Sequence, residues 1–298
     1  MLEMVLDPAQ PAPGVIVQGA TGRAARRHVA LMQGYGTPIR AGVSHRTDIA
    51  KVAGVPVFAD CAAAVAATGA RISVIMVPPL SVLAAMREAL EAGIELLVTV
   101  TEGMPAHDAL RAHVLVAAAG ARWIGASTPG LAVPGHIKLG FLPDIALAPG
   151  SLAVWSKSGT LSYECCLRLT RRGVGQSAWI GVGGDAVKGS RFSELVAPFR
   201  DHAPTRAVLV IGEIGGTEEE DLAETLQRTP IGKPVHALLA GAAAPEGQMM
   251  GHAGAIIDGT TGTLASKRAA LTAAGVRVHA RIDDLADALA AEHAGECP

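Results

Sequence analysis

Short runs of β-branched and aliphatic residues, each followed by a stretch of helical period, recur along the whole chain and restrict its possible folds more than any other feature. In the first half the runs are VIVQ (15–18), IRAGV (39–43), VPVF (55–58), ISVIMV (72–77), LLVTV (96–100) and RWIGA (122–126). Between them lie stretches with helical spacing, among them RAARRHVALMQGYG, CAAAVAATG, SVLAAMREALEAG and AHDALRAHVLVAAAG. Strands alternating with helices pair in parallel, with the helices covering both faces of the sheet. Such strands are buried on both sides and therefore read as continuous apolar runs. Half of the residues are hydrophobic but only 3% are aromatic, so the core must be filled by Ala, Val, Leu and Ile.

The alternation pauses over STPGLAVPGHIKLGFLPDIALAPG (127–150), which has four prolines and little period and reads as an irregular connector. It resumes with LAVWS (152–156), a helix from SGTLSYECCLRLTRRG, SAWIGVG (177–183) and a helix over SRFSELVAPFRD. RAVLVIGEIGG (206–216), the helix TEEEDLAETLQR, PVHALLAG (234–241), the helix TLASKRAALTAAG and VRVHA complete it. The chain has 298 residues, which suits two domains of roughly 150 residues each. The expected organisation is a Rossmann-like α/β domain over 1–126, a connector over 127–150, and a flavodoxin-like parallel α/β domain over 151–298.

A net charge of −2 and a pI near 6.5 supply no basic surface for nucleic acid or acidic lipid. No apolar run reaches the roughly 18–20 residues of a membrane span. MLEMVLDPAQPAPG at the start lacks the basic and apolar regions of a secretory signal. Cys61, Cys165, Cys166 and Cys297 form no CxxC pair and read as reduced, mostly buried thiols. A cytoplasmic protein without a bound metal is expected.

Several segments combine glycine with groups that carry chemistry. VIVQGATGRAARRH (15–28) runs strand, glycine turn, helix, and Gly19 and Gly22 let amide groups approach an anion at the helix start. The full G-x-G-x-x-G dinucleotide fingerprint is absent, which disfavours an oxidoreductase and leaves coenzyme A as a plausible ligand beside a plain strand-to-helix turn. Arg23, Arg26 and Arg27 either face phosphates or form the wet side of the helix. VTVTEG (98–103) puts Thr101 and Glu102 at the carboxyl end of a strand, where open α/β sheets bind ligands. SKSGTLSYE (156–164) opens a helix with small hydroxyl residues, suited to an anion or to an ordinary cap at Ser158. Glu213 in IGEIGG follows an apolar strand, where a carboxylate is costly unless it is paired. His252, in QMMGHAGAII (248–257), sits in a collar of glycines. A carboxylate that holds one imidazole nitrogen fixes the tautomer and frees the other nitrogen as a nucleophile. The loops of Glu213 and His252 leave strands expected to be neighbours. The remaining histidines show no metal-ligand spacing.

VQGATG, GVPVF, CAAAVAATGA, TVTEGMP, WSKSGTLSYE, VGQSAWIGVGGD, VLVIGEIGG and MMGHAGAII, in this order, resemble the α subunit of the succinyl-CoA synthetase family, from about residue 13 to 290. These are ADP- or GDP-forming acyl-CoA ligases and include malate–CoA ligase. The resemblance implies coenzyme A bound by the first domain, at Thr21, Gly22, Arg23, Ala24, Thr47, Val100, Thr101 and Glu102. It implies a transiently phosphorylated His252 held by Glu213, a phosphate-receiving helix start at Ser158, Gly159 and Thr160, and Tyr163 lining the substrate end. It also implies an ATP-grasp β subunit, in an αβ or α2β2 assembly, that binds most of the ATP or GTP with Mg2+, and a small carboxylic acid as substrate.

Three stretches depart from the family pattern. Arg23 and Ala24 replace small polar residues, SHRTDI (44–49) stands where a Thr-Pro-Gly-Lys-Gly-Gly loop is usual with Thr47 at the lysine position, and GASTPG (125–130) replaces Gly-Pro-Asn-Cys-Pro-Gly. All three fall on the coenzyme A and acyl side, so succinate is a default among possible acids. A non-catalytic CoA- or acyl-CoA-binding paralogue, or a ligase for another dicarboxylate such as malate, is the alternative.

Overall fold

The computed structural model describes residues 2–46, 48–241 and 262–293. The chain divides into two compact units: Met1–Leu142 with Val187–Gly189, and Pro143–Ala186 with Ser190–Pro298.

In the first unit a short helix α1 (Glu3–Leu6) precedes β1 (Val15–Gln18), α2 (Arg23–Gly34), β2 (Ile39–Val43), β3 (Lys51–Val52), β4 (Val55–Phe58) and α3 (Cys61–Thr68). Then come β5 (Ile72–Ile75), α4 (Val82–Glu91), β6 (Leu96–Thr99), α5 (Ala106–Ala118) and β7 (Arg122–Gly125). The strands lie in the order β3-β4-β2-β1-β5-β6-β7, all parallel except the β3–β4 pair. The order reverses between β1 and β5, which makes the crevice outside their carboxyl ends the expected ligand site. β4 is not an edge strand, because the two-residue β3 pairs outside it. Ile16, Ile75, Val82, Met86 and Leu97 join Trp123 in a dry core between sheet and helices.

The stretch 127–150 is not the irregular connector expected of it. It holds β8 (Gly130–Val133) and β9 (Ile137–Gly140), which pair antiparallel. Their turn has His136 N–H bonded to the Val133 carbonyl, with Pro134 second and Gly135 at φ +79°, as a type II turn requires. Gly130 and Gly140, at φ +116° and +121°, let the two backbones touch where a Cβ would strike a carbonyl of the opposite strand. Thr37 anchors this hairpin to the first unit, donating to the Lys138 carbonyl at 2.7 Å and accepting its N–H at 3.0 Å.

The second unit contributes β10 (Pro149–Ser156), α6 (Gly159–Arg171), β11 (Gln176–Gly181), α7 (Phe192–Arg200), β12 (Ala207–Glu213), α8 (Glu218–Arg228) and β13 (Val235–Ala240). α9 (Leu264–Ala273), β14 (Arg277–His279) and α10 (Ile282–Glu292) follow. Its parallel strands run β14-β13-β12-β10-β11. Counted from β10 this is the flavodoxin-like order, with the reversal between β10 and β12. The expected two-domain α/β class therefore describes the structure, and no helix among the described residues is long and apolar enough to cross a membrane.

His236 on β13 is fully buried, with Nδ1 2.9 Å from His279 Nε2 and Nε2 3.1 Å from Glu292 Oε2. Burial pushes its pKa from 6.5 down to about 4, and nearby His279 and Arg277 push the same way. Above pH 6.5 it is neutral in both folded and unfolded chains. As the pH falls towards 4, only the unfolded chain takes up the proton, so stability is lost in that window. The urea transition of this unit should lose up to about 3 kcal/mol between pH 6.5 and 4 through this residue, and His236→Gln should flatten that part of the profile.

Candidate active site

Both reversal points carry functional groups. In the first unit two cavities open there. One, of about 420 Å³, is lined by Gly22, Arg23, Ala24, Ala25, Met76, Val100, Thr101, Glu102 and Phe141. Six of the residues expected to contact coenzyme A are thus on one wall set. Gly22 caps α2 with no side-chain hydrogen bond, and among the described residues no acceptor takes the N–H of Arg23, Ala24 or Ala25. Three unpaired amides at a positive helix end suit an anion. Thr101 Oγ1 donates to the Val77 carbonyl at 2.7 Å, which fixes the turn beside Glu102.

The second cavity, of about 450 Å³, is lined by Gln18, Gly19, Val43, Ser44, His45, Arg46, Pro78 and Leu80, among others. Thr21 is buried below the loop, its hydroxyl 2.7 Å from Ser44 Oγ. Thr47 lies outside the described residues. Its neighbour Arg46 is exposed and forks onto Asp48, Nη2 to Oδ2 at 2.7 Å and Nε to Oδ1 at 3.2 Å. Arg26 is held to the Thr21 carbonyl at 3.0 Å, whereas the Arg23 guanidinium has no hydrogen-bonded or ionic partner among the described residues. Mixed apolar walls, free amides and a cation fit a coenzyme carrying both phosphates and an apolar arm.

In the second unit, Ser156 at the end of β10 lies opposite Ile211 of β12, and Lys157 N–H bonds the Ile211 carbonyl at 3.0 Å. Ser158 is the N-cap of α6, its Oγ accepting Leu161 N–H at 3.2 Å. The N–H groups of Gly159 and Thr160 find no acceptor among the described residues, so capping by Ser158 leaves an anion-binding end free. Tyr163 follows one turn later, its ring 6.3 Å from that of Trp179 and its hydroxyl pushed up to about 12 by burial.

Glu213 ends β12 with 8% of its surface exposed. Its strand pairs directly with β13, Glu213 opposite Ala240. His252 lies outside the described residues, but both flanks of its segment touch the Glu213 turn. Ile214 N–H bonds the Ala240 carbonyl at 3.2 Å, and Gly215 N–H bonds the Gly262 carbonyl at 2.8 Å. Ala240 and Gly262, described residues on either side of that stretch, are therefore both tied to the turn that follows Glu213.

Sequence reasoning missed the ionic cluster beneath this turn. Glu219 is fully buried and binds Lys157 Nζ at 2.9 Å and also Lys267 Nζ, a residue likewise without exposed surface. Glu218 lies 3.5 Å from Lys157 Nζ and accepts Phe192 N–H at 3.0 Å. Burial alone would raise the pKa of Glu219, but the two ammonium groups outweigh it and hold it below the usual carboxylate range. The readable signal was GEIGGTEEE, where several acidic residues follow a glycine turn instead of lying only on a wet helix face. Among the described residues no group of three or more His, Cys, Asp or Glu could hold a metal ion.

Comparison with known proteins follows the same division. A CoA binding domain family model matches residues 12–103 and a CoA-ligase model matches 155–277. A succinate–CoA ligase [ADP-forming] α subunit of Archaeoglobus fulgidus is 45% identical over 264 residues, 89% of this chain and 91% of that protein. The chain belongs to the succinate–CoA ligase α-subunit family. The family member from Aquifex aeolicus is 43% identical across 89% of this chain and 87% of its own. The fold is also that of an ATP citrate lyase from Methanothrix soehngenii, solved with citrate and coenzyme A, with TM-score 0.82 at 23% identity. The match covers 92% of this chain and 48% of the lyase chain, so this chain spans about half the lyase's length.

Gly212 has no room for a side chain, since a Cβ there would lie 2.5 Å from Glu219 Oε1. Gly212→Ala should destabilise the second unit by about 1–3 kcal/mol through overpacking, read as a lower urea midpoint for that unit and an unchanged one for the first.

Proposed function

We propose that this chain is the α subunit of a succinate–CoA ligase, ADP-forming as its named relatives are, and joins a carboxylic acid to coenzyme A through a phosphorylated His252. The observation that carries this reading is the anchoring of both ends of the His252 segment on the Glu213 turn, next to the free amino end of α6. Family membership at 38–45% identity to proteins named for that reaction supports the substrate class.

The first unit takes coenzyme A, with phosphates towards the amides of Arg23, Ala24 and Ala25 and the neighbouring arginines. Thr21, Gly22, Val100, Thr101 and Glu102 shape the channel, and Thr47 or its neighbour Arg46 meets the far phosphate. An ATP-grasp β subunit, in an αβ or α2β2 assembly, supplies the nucleotide and Mg2+.

A carboxylate resists attack by a thiol because oxide is a poor leaving group. Phosphoryl transfer solves this in two moves. A ring nitrogen of His252 attacks the terminal phosphorus of the nucleoside triphosphate, the P–O bond to the diphosphate breaks, and the diphosphate leaves with that electron pair. A carboxylate oxygen of the acid then attacks the same phosphorus, the P–N bond breaks, and an acyl phosphate forms. The coenzyme A thiol loses its proton and attacks the acyl carbon, expelling inorganic phosphate and leaving the thioester. Glu213 accepts the N–H of the other imidazole nitrogen and keeps the attacking nitrogen unprotonated. The amides of Gly159 and Thr160 take the phosphoryl oxygens at the positive end of α6. Tyr163 lines the acid's place, and burial moves its hydroxyl pKa further above the physiological range. Phosphoryl transfer asks a protein mainly for positioning and charge stabilisation, and these groups provide both.

Intact mass of the chain co-expressed with its partner subunit and held at mild alkaline pH should show a phosphoryl-sized increment. Brief acid should remove the increment, and His252→Ala should abolish it. Its absence from the parent chain with partner and nucleotide present would overturn the assignment.

A further inference from the structure

The reaction above uses Glu213 and the amino end of α6 but gives no task to the fully buried carboxylate between them. Glu219 is at 0% exposure, Lys267 at 0% and Lys157 at 6%. Taking such ions out of water costs several kcal/mol each, and an apolar cluster of similar volume is often as stable. What an ionic cluster adds is direction, because each bond fixes an atom and not merely a volume.

Those bonds fall on the parts that must cooperate. Glu219 Oε1 accepts the backbone N–H of Glu213 at 3.1 Å. The same oxygen lies 2.9 Å from Lys157 Nζ, and Oε2 lies 3.1 Å from it. Lys157 immediately precedes Ser158, the N-cap of α6. Lys267 Nζ binds Glu219 Oε2, donates to the Gly216 carbonyl at 3.0 Å and reaches Glu220 Oε2 at 3.1 Å. One carboxylate thus grips the Glu213–Gly216 turn at its first residue directly and at its last through Lys267. Through Lys157 it also grips the start of the phosphate-receiving helix.

We infer that Glu219 is a positioning residue that sets the separation between the Glu213 carboxylate and the amino end of α6 during phosphoryl transfer at His252. The inference rests on the ligase reading proposed above. Glu219 touches neither phosphate nor imidazole. It acts through Glu213 on one side and through Lys157 and Ser158 on the other. Loss of its charge leaves Lys157 and Lys267 to find other partners and lets the two ends drift. A displacement of about 1 Å can lower a rate on the order of 100-fold when reacting groups must align.

The test is single-turnover phosphorylation of the chain assembled with its partner subunit, followed by quenched-flow and intact mass. Glu219→Gln keeps the volume and an acceptor for Glu213 N–H but removes the charge that holds both lysines. The expected result is a phosphorylation rate constant lowered at least about 10-fold, with full final amplitude and an unchanged dissociation constant for coenzyme A. In steady state, kcat should fall while KM for coenzyme A stays put. Stranding a buried charge lowers the melting temperature under either reading, but a merely structural carboxylate would leave the rate constant of the surviving enzyme untouched, and a parental rate constant overturns the inference. If Glu219→Gln fails to assemble, Lys157→Met with Glu219→Gln removes the pair together. The same slowing is then expected, and a parental rate constant again overturns it. The parent chain run alongside separates the two readings: no phosphoryl uptake there removes the ligase assignment, and this inference with it.

Discussion

Two lysines converge on the buried carboxylate of Glu219, and the glycine turn above it is built around that meeting. Gly212 has no Cβ because Glu219 Oε1 occupies the space, and Gly216 turns back with its carbonyl on Lys267. Burial penalises the charges of Glu219 and Lys157, yet attraction to their partners holds Glu219 below the ordinary carboxylate range and Lys157 above the ordinary lysine range. The signs set the working window. The contribution of Glu219 is present above the unfolded value near 4.5 and is lost as pH falls through its lower folded value. That of Lys157 is present below 10.5 and is lost as pH rises through its higher folded value. Between these limits neither Glu219 nor Lys157 changes charge, so the ion pair between them persists across that range.

The cluster lies where topology alone would put a site. In the second unit the strand order reverses between β10 and β12, and the groups at their carboxyl ends are Lys157 with the α6 cap on one side and Glu213 on the other. In the first unit the reversal between β1 and β5 opens both cavities. Each sheet diverges at its reversal point because consecutive connections run to opposite faces, and the crevice left is flanked by a helix amino end. Phosphate groups are the ligands such ends favour, and under the function proposed above the coenzyme and the phosphorylated histidine would both present them. The two units therefore solve one physical problem twice, with different loops.

Much of this was legible in the sequence because parallel strands and their helices carry strong periodic signals. The helices α2, α4 and α6 and the strands β1, β2 and β12 fall where apolar runs and 3.6-residue spacing put them. The hairpin of β8 and β9 was not legible. Its strands are four residues each and fully buried, so neither alternation nor length distinguishes them, and the prolines and glycines that normally mark irregular backbone here shape a type II turn and a close crossing. The Pro134-Gly135 pair was the one signal available for it. At the site, Glu213 stood out because a carboxylate ended an apolar strand. Lys157, Glu219 and Lys267 did not, since charged residues at helix starts usually face water, and the acidic run after the glycine turn does not by itself say which of its members turns inward.

The departures from the family pattern can be weighed by what each one touches. Arg23, Ala24, His45, Arg46 and Asp48 are exposed, and Arg46 is already engaged with Asp48 on the surface. A change at these exposed positions leaves the sheet intact, because the Arg23 guanidinium has no partner among the described residues and Arg46 bonds only Ser44 and Asp48 of its own loop. Ala126, in the third departure, is fully buried next to Gly125, which packs against the Thr99 carbonyl, so that change falls in the packed core of the first unit. On the phosphoryl side no residue is independent in this way. Glu213 depends on Glu219 through its backbone, Glu219 on two lysines, and Lys157 on its place before the α6 cap. Substituting one member strands a buried charge, which costs about 3–5 kcal/mol when an ion pair loses its partner. The exposed loop positions of the first unit can therefore change one at a time, whereas the cluster beneath the Glu213 turn of the second unit changes only as a block.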